Sequence, residues 1–264
     1  MTAIICAGTP ERHARARQAQ LLQASVMPDT CAPDSSLLVS TVLRQADWAT
    51  GCQAATLQAF AKGGVVRHLK RGEVVMRRGA PVRHLGIVVS GALQVGIHAS
   101  SGKRMITGYL GSGQLFNLVP FLDGGVATND LIAHTDLTIC VLNKSLVEMA
   151  LSSDVILLRA FMQVLCLRAR RSLSDHADLL LVTLRQRCAK VLLNLAADYG
   201  SPHSEGVSLT LRMSQAEFAD LVGWSRPKVN QELKRIEAES IIQVSYSRVL
   251  ILDMERLKAA ASGE

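Results

Sequence analysis

The feature that most constrains this chain is a segment near its C-terminus, residues 213–237, that predicts two short helices joined by a tight turn. Ser214, followed three residues later by Glu217, is a capping box, which predicts that the first helix begins at Gln215. Gly223 supplies the positive φ with which a helix commonly ends. The buried side of this helix is predicted to comprise Phe218, Leu221 and Val222.

The second helix of the pair carries two different faces. Ser225 is a second N-cap residue and Pro227 suits the first turn, so this helix is predicted to begin at Arg226. Its apolar residues recur at helical spacing, at Val229, Leu233 and Ile236. Side chains that read bases or bind phosphates fall largely on other faces: Arg226, Lys228, Asn230, Gln231 and Lys234. One face can pack on a core while another reads DNA, as in a helix-turn-helix.

A helix pair with a glycine turn also occurs in proteins that do not bind DNA, where its basic residues are only solvated. The sequence that follows favours the DNA-binding interpretation. Apolar segments at 241–244 and 249–252 flank a turn at 245–248, which predicts a β-hairpin wing behind the second helix. A winged arrangement is more specific than the helix pair by itself.

Composition limits the classes of protein that the chain can belong to. Its 264 residues, 48% of them hydrophobic, suffice for two domains with separate cores. A net charge of +7 and a pI near 9.3 indicate an acidic partner, either nucleic acid or a membrane surface. No apolar run approaches the roughly 20 residues that span a bilayer, and the start of the chain lacks a signal-peptide pattern. We therefore expect a cytoplasmic protein with no membrane partner.

Neither catalysis nor metal binding is expected from the motifs. The sequence contains no Gly-x-Ser-x-Gly, Walker or His-Glu-x-x-His motif. Six widely separated cysteines show no metal-ligand spacing and are interpreted as small buried hydrophobes: Cys6, Cys31, Cys52, Cys140, Cys166 and Cys188. A different hypothesis makes Cys140, Cys166 or Cys188 the sensing thiol of a redox switch.

The middle of the chain predicts a β-rich domain. Short apolar runs broken by glycines extend over residues 65–142, which is typical of a β-sandwich or roll. Turns are predicted at 90–91 and 100–102, a loop at 123–125, and closing strands at 130–134 and 137–142. One or two short helices are expected within residues 37–60.

A long helix is predicted after the roll, from Val155 to near His176, preceded by a short helix that Asn143 caps. It has more apolar surface than a free helix tolerates. Either the roll covers its stripe or the same helix of a second chain does, through Leu158, Phe161, Met162, Leu165 and Ala169.

These patterns predict an α+β fold in four parts. Residues 1–36 are expected to form a flexible tail, which includes a basic run at 12–17, and residues 37–151 a β-sandwich or roll with flanking helices. Residues 152–178 are expected to form the long helix, and residues 179–264 a winged helix-turn-helix.

The order of roll, long helix and winged helix-turn-helix resembles the family of bacterial transcription regulators that includes the cyclic-AMP receptor and the fumarate-nitrate reduction regulator. The motifs that carry the resemblance are Arg71-Gly-Glu-Val74, Ile87-Val-Val-Ser-Gly-Ala-Leu93, Gly111-Ser-Gly-Gln-Leu-Phe116, the segment 187–195 and Leu221-Val-Gly-Trp-Ser-Arg-Pro-Lys-Val-Asn230. The resemblance implies that residues 37–151 form an effector-sensing jelly roll of the cyclic-nucleotide-binding type and that residues 152–178 form the dimerisation helix of a homodimer. It also implies double-stranded DNA as partner and RNA polymerase as a further partner.

The resemblance also implies roles for individual residues in DNA binding. Arg226 occupies the family's guanine-reading position, and its fork suits the two acceptors of a guanine edge. Pro227 and Gln231 stand where the best-known member has a glutamate and a second arginine, so the target sequence stays open. The remaining candidate contacts are Ser214, Ser225, Lys228, Asn230, Gln231, Lys234, Tyr246 and Arg248.

The sensing pocket departs from the cyclic-nucleotide-binding members. Their Gly-Glu and Arg-Ser pairs are replaced here by Asn117-Leu118 and Thr128-Asn129. Without that carboxylate and guanidinium, a buried cyclic nucleotide would be poorly compensated, so a different small-molecule effector, or none, is expected. Haem sensing is an alternative because His68, His84, His98 and His134 are available.

Overall fold

The computed structural model describes residues 33–99 and 102–263, so the basic run at 12–17, Cys6, Cys31 and part of the predicted turn at 100–102 lie outside the described residues. Helix α1 (Pro33–Gln45) begins within the last part of the predicted tail. A 3-10 turn (Asp47–Ala49) and helix α2 (Ala54–Gly63) follow. Both short helices predicted before the roll are therefore present.

Eight antiparallel strands form the predicted roll as two sheets. Strands β1 (Val65–Leu69), β8 (Leu137–Asn143), β3 (His84–Ser90) and β6 (Leu115–Phe116) form one sheet in that order. The other sheet comprises β2 (Val74–Met76), β7 (Asp130–Ala133), β4 (Leu93–His98) and β5 (Arg104–Leu110), and helix α3 (Leu118–Asp123) follows β6. Val88, Leu93 and Phe116 belong to the apolar cluster shared by the two sheets.

Two helices connect the roll to the C-terminal domain. Helix α4 (Lys144–Ser153) is capped by the Asn143 side chain, which accepts from the Leu146 amide as predicted. Helix α5 (Val155–Leu181) is capped by Asp154 and runs five residues beyond the predicted end near His176. Its first turns pack on the outer face of the roll, where Leu157 and Phe161 are fully buried beside Leu43 and Phe60.

The C-terminal domain is built of helices around a second sheet. Helix α6 (Leu184–Tyr199) leads into β9 (Gly200–His203) and β10 (Gly206–Leu209). Helices α7 (Gln215–Val222) and α8 (Arg226–Ala238) come next, followed by the hairpin β11 (Ile242–Ser245) and β12 (Arg248–Ile251) and by α9 (Met254–Ser262). The sheet order is β11-β12-β10-β9, so the predicted wing is one edge of a larger sheet.

The two domains share apolar surface. The core of the C-terminal domain, which includes Leu192, Phe218 and Val229, continues into Ala92, Ile106 and Tyr109 of the roll. Within the described residues no single helix is long and apolar enough to cross a membrane. Only α4 and α5 taken together reach that length and composition, across a bend of 112°.

Candidate nucleic-acid interface

The first helix of the pair begins where its capping box predicts. The Ser214 hydroxyl accepts from the Glu217 amide at 3.2 Å, and the Ser214 amide donates to the Glu217 carboxylate at 2.7 Å. Phe218 and Val222 are buried and Leu221 is half-buried. Gly223 ends the helix in the left-handed region, with a φ of 82°.

The second helix begins at Arg226 as predicted, but its cap differs from the prediction. Ser225 has the extended backbone of an N-cap residue, yet its side chain makes no cap hydrogen bond. Pro227 lies at the second helical position and has no amide hydrogen, which removes one of the two donors that an N-cap oxygen can accept from. The exposed Ser225 hydroxyl is therefore left for other partners.

Helix α8 separates a packing face from a polar face. Val229, Leu233 and Ile236 are at most 6% exposed and join the core of the domain. The predicted DNA contacts on the other faces that remain solvent-exposed are Arg226, Lys228, Gln231 and Lys234. Glu232, which is buried, lies within ion-pair distance of Arg185 and Arg235.

A residue that the sequence patterns did not single out, Gln215, joins the two helices. Its side-chain oxygen accepts from Asn230 Nδ2 at 2.9 Å and from Arg226 Nη2 at 3.5 Å. Asn230 is therefore half-buried and engaged within the protein, and its side-chain oxygen has no hydrogen-bond partner among the described residues. A glutamine at the first position of a helix has no sequence signal that would indicate such a role. The contact between the two helices became visible only from the packing of α7 on α8.

The turn between the helices presents an aromatic and a cation together. Lys228 Nζ lies 5.7 Å from the centre of the Trp224 ring, within cation–π range. Trp224 is 39% exposed at the surface that carries Arg226. The ring limits the positions that the lysine side chain adopts.

The wing projects a tyrosine into solvent. Tyr246 and Ser247 form the two-residue turn between β11 and β12, with φ values of 45° and 57°. Positive φ at both central residues matches the turn type that best joins twisted antiparallel strands. Tyr246 is 98% exposed, and Arg248 beside it is also exposed.

A polar cluster around His134 connects the roll to the C-terminal domain. His134 Nε2 lies 2.7 Å from the Arg212 carbonyl oxygen and His134 Nδ1 lies 3.4 Å from Glu217 Oε1. Both ring nitrogens therefore lie close to oxygens of the C-terminal domain. The hydrogen bond from His134 lowers the pKa of Glu217 to about 2, which keeps the carboxylate ionised. We call this set, His134, Glu217 and Arg212, the interdomain clamp.

A second ion pair connects the same elements near the clamp. Arg104 on β5 donates from Nε to Asp220 Oδ2 on α7 at 2.6 Å. The Tyr109 ring contacts the His134 ring edge-on at 4.7 Å between centroids. The first helix of the pair is thus fixed to the roll, while α8 carries the exposed polar face.

The structure does not bring the four predicted effector-pocket residues together as a polar site. Leu118 is 1% exposed and belongs to the hydrophobic core, which corrects its prediction as a pocket residue. Asn117 precedes α3 with a left-handed backbone and makes no cap hydrogen bond. Thr128 and Asn129 hydrogen-bond to each other at 2.9 Å, and Thr128 is exposed.

The predicted dimer residues divide into two groups. Phe161 is fully buried against the roll, with its ring 5.9 Å from that of Trp48, so its prediction as a dimer contact is wrong. Leu165 is half-buried against the same core. Leu158 and Met162 are 43% and 59% exposed, and Ala169 is exposed as well. Phe161 was assigned to the dimer stripe because it lies three residues after Leu158. Residues three or four apart share a helix face only approximately, and here Leu158 is exposed whereas Phe161 packs on the roll.

The cysteines and histidines that could carry redox or haem chemistry are dispersed. Cys140 and Cys188 are buried, and burial raises the pKa of Cys188 to about 12, which disfavours the reactive thiolate. Cys166 is exposed on α5. His98 binds Asp130 at 2.9 Å and His68 contacts Thr138. In the described part of the chain no cluster of three or more His, Cys, Asp or Glu side chains could hold a metal ion.

Two domain families match the chain. The cyclic nucleotide-binding domain matches residues 66–154, which is the roll. The Crp-like helix-turn-helix domain matches residues 186–260, which runs from α6 through α9. Both families thus correspond to the two domains described above.

Two relatives match most of the chain. The CRP-like cAMP-activated global transcriptional regulator of Mycobacterium tuberculosis is 27% identical over 220 residues, or 83% of this chain and 98% of that protein. The transcriptional activator protein anr of Pseudomonas aeruginosa is 27% identical over 212 residues, covering 79% of this chain and 84% of the relative.

Solved structures share the fold. FixK2 from Bradyrhizobium japonicum superposes with a TM-score of 0.67 at 20% identity, covering 75% of this chain and 96% of that one. The c-di-GMP responsive global regulator CLP of Xanthomonas campestris gives 0.65 at 23% identity, covering 75% and 99%. The domain matches, the relatives and the helix-turn-helix geometry agree, and the chain therefore belongs to the Crp/Fnr family of transcription regulators.

Proposed function

We propose that this regulator is a homodimer that binds an inverted repeat in double-stranded DNA through helix α8. The observation that carries the proposal is the division of α8 into a fully buried face, at Val229 and Ile236, and an exposed row of polar and cationic side chains. A major groove admits one such helix, with its first turns against the base edges. Arg226, in that first turn, is assigned to guanine reading.

The other exposed cations are assigned to the DNA backbone. Lys228, held over Trp224, and Lys234, farther along α8, supply positive charge on either side of the reading residues. Arg248 and Tyr246 extend the surface through the wing. Phosphate contacts fix register and release counterions, so affinity should fall steeply with salt.

Homodimerisation is supported by an apolar stripe on α5 that nothing in the described chain covers. Val155, Leu158, Met162, Leu173 and Leu180 are each at least 43% exposed. Val155, Met162, Leu173 and Leu180, separated by seven, eleven and seven residues, fall on the a and d positions of one heptad frame, and Leu158 flanks that seam. A second copy of the helix would bury this stripe and place two reading helices side by side.

The effector is not assigned to the family's nucleotide positions, because Leu118 is a core residue and Thr128 and Asn129 satisfy each other. A contact with RNA polymerase follows from family membership alone. Of the three cysteines considered for a thiol-based sensor, Cys166 is the exposed one, since Cys140 and Cys188 are buried.

The test is selection from a randomised DNA library with purified full-length protein, followed by anisotropy titration of the selected sequence. An enriched inverted repeat is expected. Arg226→Ala should reduce discrimination between that repeat and random DNA by about 10- to 100-fold. Arg83→Ala, an exposed arginine on the roll, is the matched control and should bind as the native chain does. Unchanged discrimination in Arg226→Ala would show that α8 is not the reading helix.

A further inference from the structure

A cleft of about 490 Å³ lies where the roll meets the reading domain. Its volume falls in the range of sites for small organic ligands. Arg71, Ala92 and His134 line it from the roll, and Tyr199, Leu211 and Arg212 line it from the other domain. The cleft is remote in sequence from the nucleotide positions at 117–118 and 128–129.

Charge along the cleft is unbalanced. The guanidinium groups of Arg71 and Arg212 have no ion-pair or hydrogen-bond partner in the described residues, where these two residues bond only through their backbone atoms. Asp136 is the one carboxylate in the lining among the described residues, and it is already bound by Lys70 Nζ at 3.0 Å and by the Arg71 amide at 3.1 Å. The lining therefore favours an anion.

Uncharged groups restrict the kind of anion that fits. Ala92 and Leu211 are buried apolar side chains at the cleft wall, and the Tyr199 ring lies beside them. The Tyr199 hydroxyl is buried and has no hydrogen-bond partner among the described residues. Burial raises the pKa of Tyr199, so the hydroxyl stays a donor. A ligand with a small apolar body and one oxyanion group matches this lining.

We propose that this cleft is a binding site for a small organic oxyanion, a phosphate monoester or a carboxylate, held by Arg71 and Arg212. Paired guanidiniums bind such groups through charge-assisted hydrogen bonds. Because one arginine belongs to each domain, a bound anion ties the reading domain to the roll beside the interdomain clamp. This regulatory part rests on the proposed DNA-binding function, whereas ligand binding itself does not.

Binding is tested by calorimetric titration of the full-length protein, without DNA, with phenyl phosphate, benzoate and inorganic phosphate. Phenyl phosphate or benzoate should bind once per chain, and whichever binds more tightly identifies the oxyanion class. Inorganic phosphate, which lacks an apolar body, should bind at least about tenfold more weakly.

Two substitutions in the cleft and two control substitutions locate the site. Arg71→Gln and Arg212→Gln should each weaken binding of the tighter probe by about tenfold or more. Arg83→Gln, an exposed arginine away from the cleft, and Arg226→Ala, on the reading helix, should leave it unchanged. Because both arginines of the site are exposed, thermal unfolding should show that their variants stay folded. Binding of neither organic probe at millimolar concentration, or equal binding by Arg212→Gln and Arg83→Gln, would overturn the proposal.

Regulation is measured separately, by anisotropy titration of the selected DNA with and without the tighter probe. A change in DNA affinity that disappears in Arg212→Gln supports coupling between the two sites. DNA affinity that does not change while calorimetry shows a saturated cleft would overturn the coupling. Failure of the DNA-binding proposal would be visible in the titration without probe.

Discussion

At the scale of single residues, the reading surface is more organised than its exposed charges indicate. Gln215 connects the side chains of Arg226 and Asn230, and Trp224 restrains Lys228. Side chains restrained before binding lose less conformational entropy when they contact a base. We therefore expect DNA reading by α8 to depend also on Gln215 and Trp224, which need not touch DNA themselves.

Gln215→Ala tests this dependence. Removal of the amide frees Arg226 and Asn230, so affinity for the selected DNA should fall by about three- to tenfold, while affinity for random DNA changes little. Competition titrations with the two DNAs measure the ratio. Gln243→Ala, an exposed glutamine on the wing strand β11, is the matched control. If Gln215→Ala left the ratio of the two affinities unchanged, Gln215 would not position Arg226 and Asn230 for DNA binding.

At the scale of elements, the tight turn between α7 and α8 depends on a left-handed backbone. Gly223→Ala adds a Cβ at a φ of 82° and only 3.1 Å from Leu179 Cδ2. We expect the free energy of unfolding to fall by about 1–2 kcal/mol. Gly72→Ala has a similar φ of 88° but open space around its Cβ, so it isolates the backbone cost. Chemical denaturation should show a larger loss of unfolding free energy for Gly223→Ala than for Gly72→Ala. Equal losses would mean that the Leu179 side chain moves aside at no cost.

The interdomain clamp gives the contact between α7 and the roll a defined pH dependence. The pKa of Glu217 is lowered in the folded protein from 4.5 to about 2. A lowered pKa contributes stability above the unfolded value, and this contribution is lost as the pH falls from about 4.5 towards 2.

Glu217→Gln is the corresponding variant. At pH 7 it should be less stable than the native chain by about 1–3 kcal/mol, because His134 loses its charged partner. The difference should shrink as the pH falls below 4.5, which urea denaturation at several pH values would measure. Glu205→Gln, an exposed loop residue, should show no such trend. A difference for Glu217→Gln that stays constant with pH would contradict the clamp.

At the scale of the whole molecule, the proposed homodimer can be tested through the exposed residues of α5. Cys166 is exposed on α5, between Met162 and Leu173 of the apolar stripe. If two α5 helices pair along that stripe, the two thiols face one another across the seam. Mild oxidation should therefore give a covalent dimer on a non-reducing gel. Cys166→Ser should abolish this product, whereas Cys52→Ser should not.

Leu173→Glu tests the same seam without oxidation. Leu173 is 73% exposed in the single chain, so the substitution costs little in the monomer but places two like charges together in the dimer. Sedimentation velocity should shift from dimer to monomer, and DNA affinity should fall with it. Leu37→Glu, at an exposed leucine of α1, is the matched control. A dimer that persists in Leu173→Glu would place the interface elsewhere.

Local sequence signals predicted the elements that depend on neighbouring residues. Three such signals are the capping box at Ser214, the glycine at 223 and the alternation of short strands. Each involves residues only a few positions apart, so the sequence alone is enough to locate the element that it forms. The helix-turn-helix, the roll and the wing were accordingly predicted with nearly their observed bounds. Ser225 is the N-cap residue as predicted, but its side chain makes no cap hydrogen bond, since Pro227 lacks one of the amide donors that such a cap uses.

Contacts between distant segments were decided only by the tertiary structure. Phe161 and Leu118 have the composition of interface and pocket residues, but the packing of α5 and α3 on the roll makes both of them core residues. His134 meets Glu217, and Arg71 and Arg212 line one cleft, because the two domains dock along β5 and α7. Sequence by itself thus determined the elements and the reading helix, since those signals are local. The clamp and the cleft required the fold, since burial and charge pairing between residues far apart depend on how the domains pack.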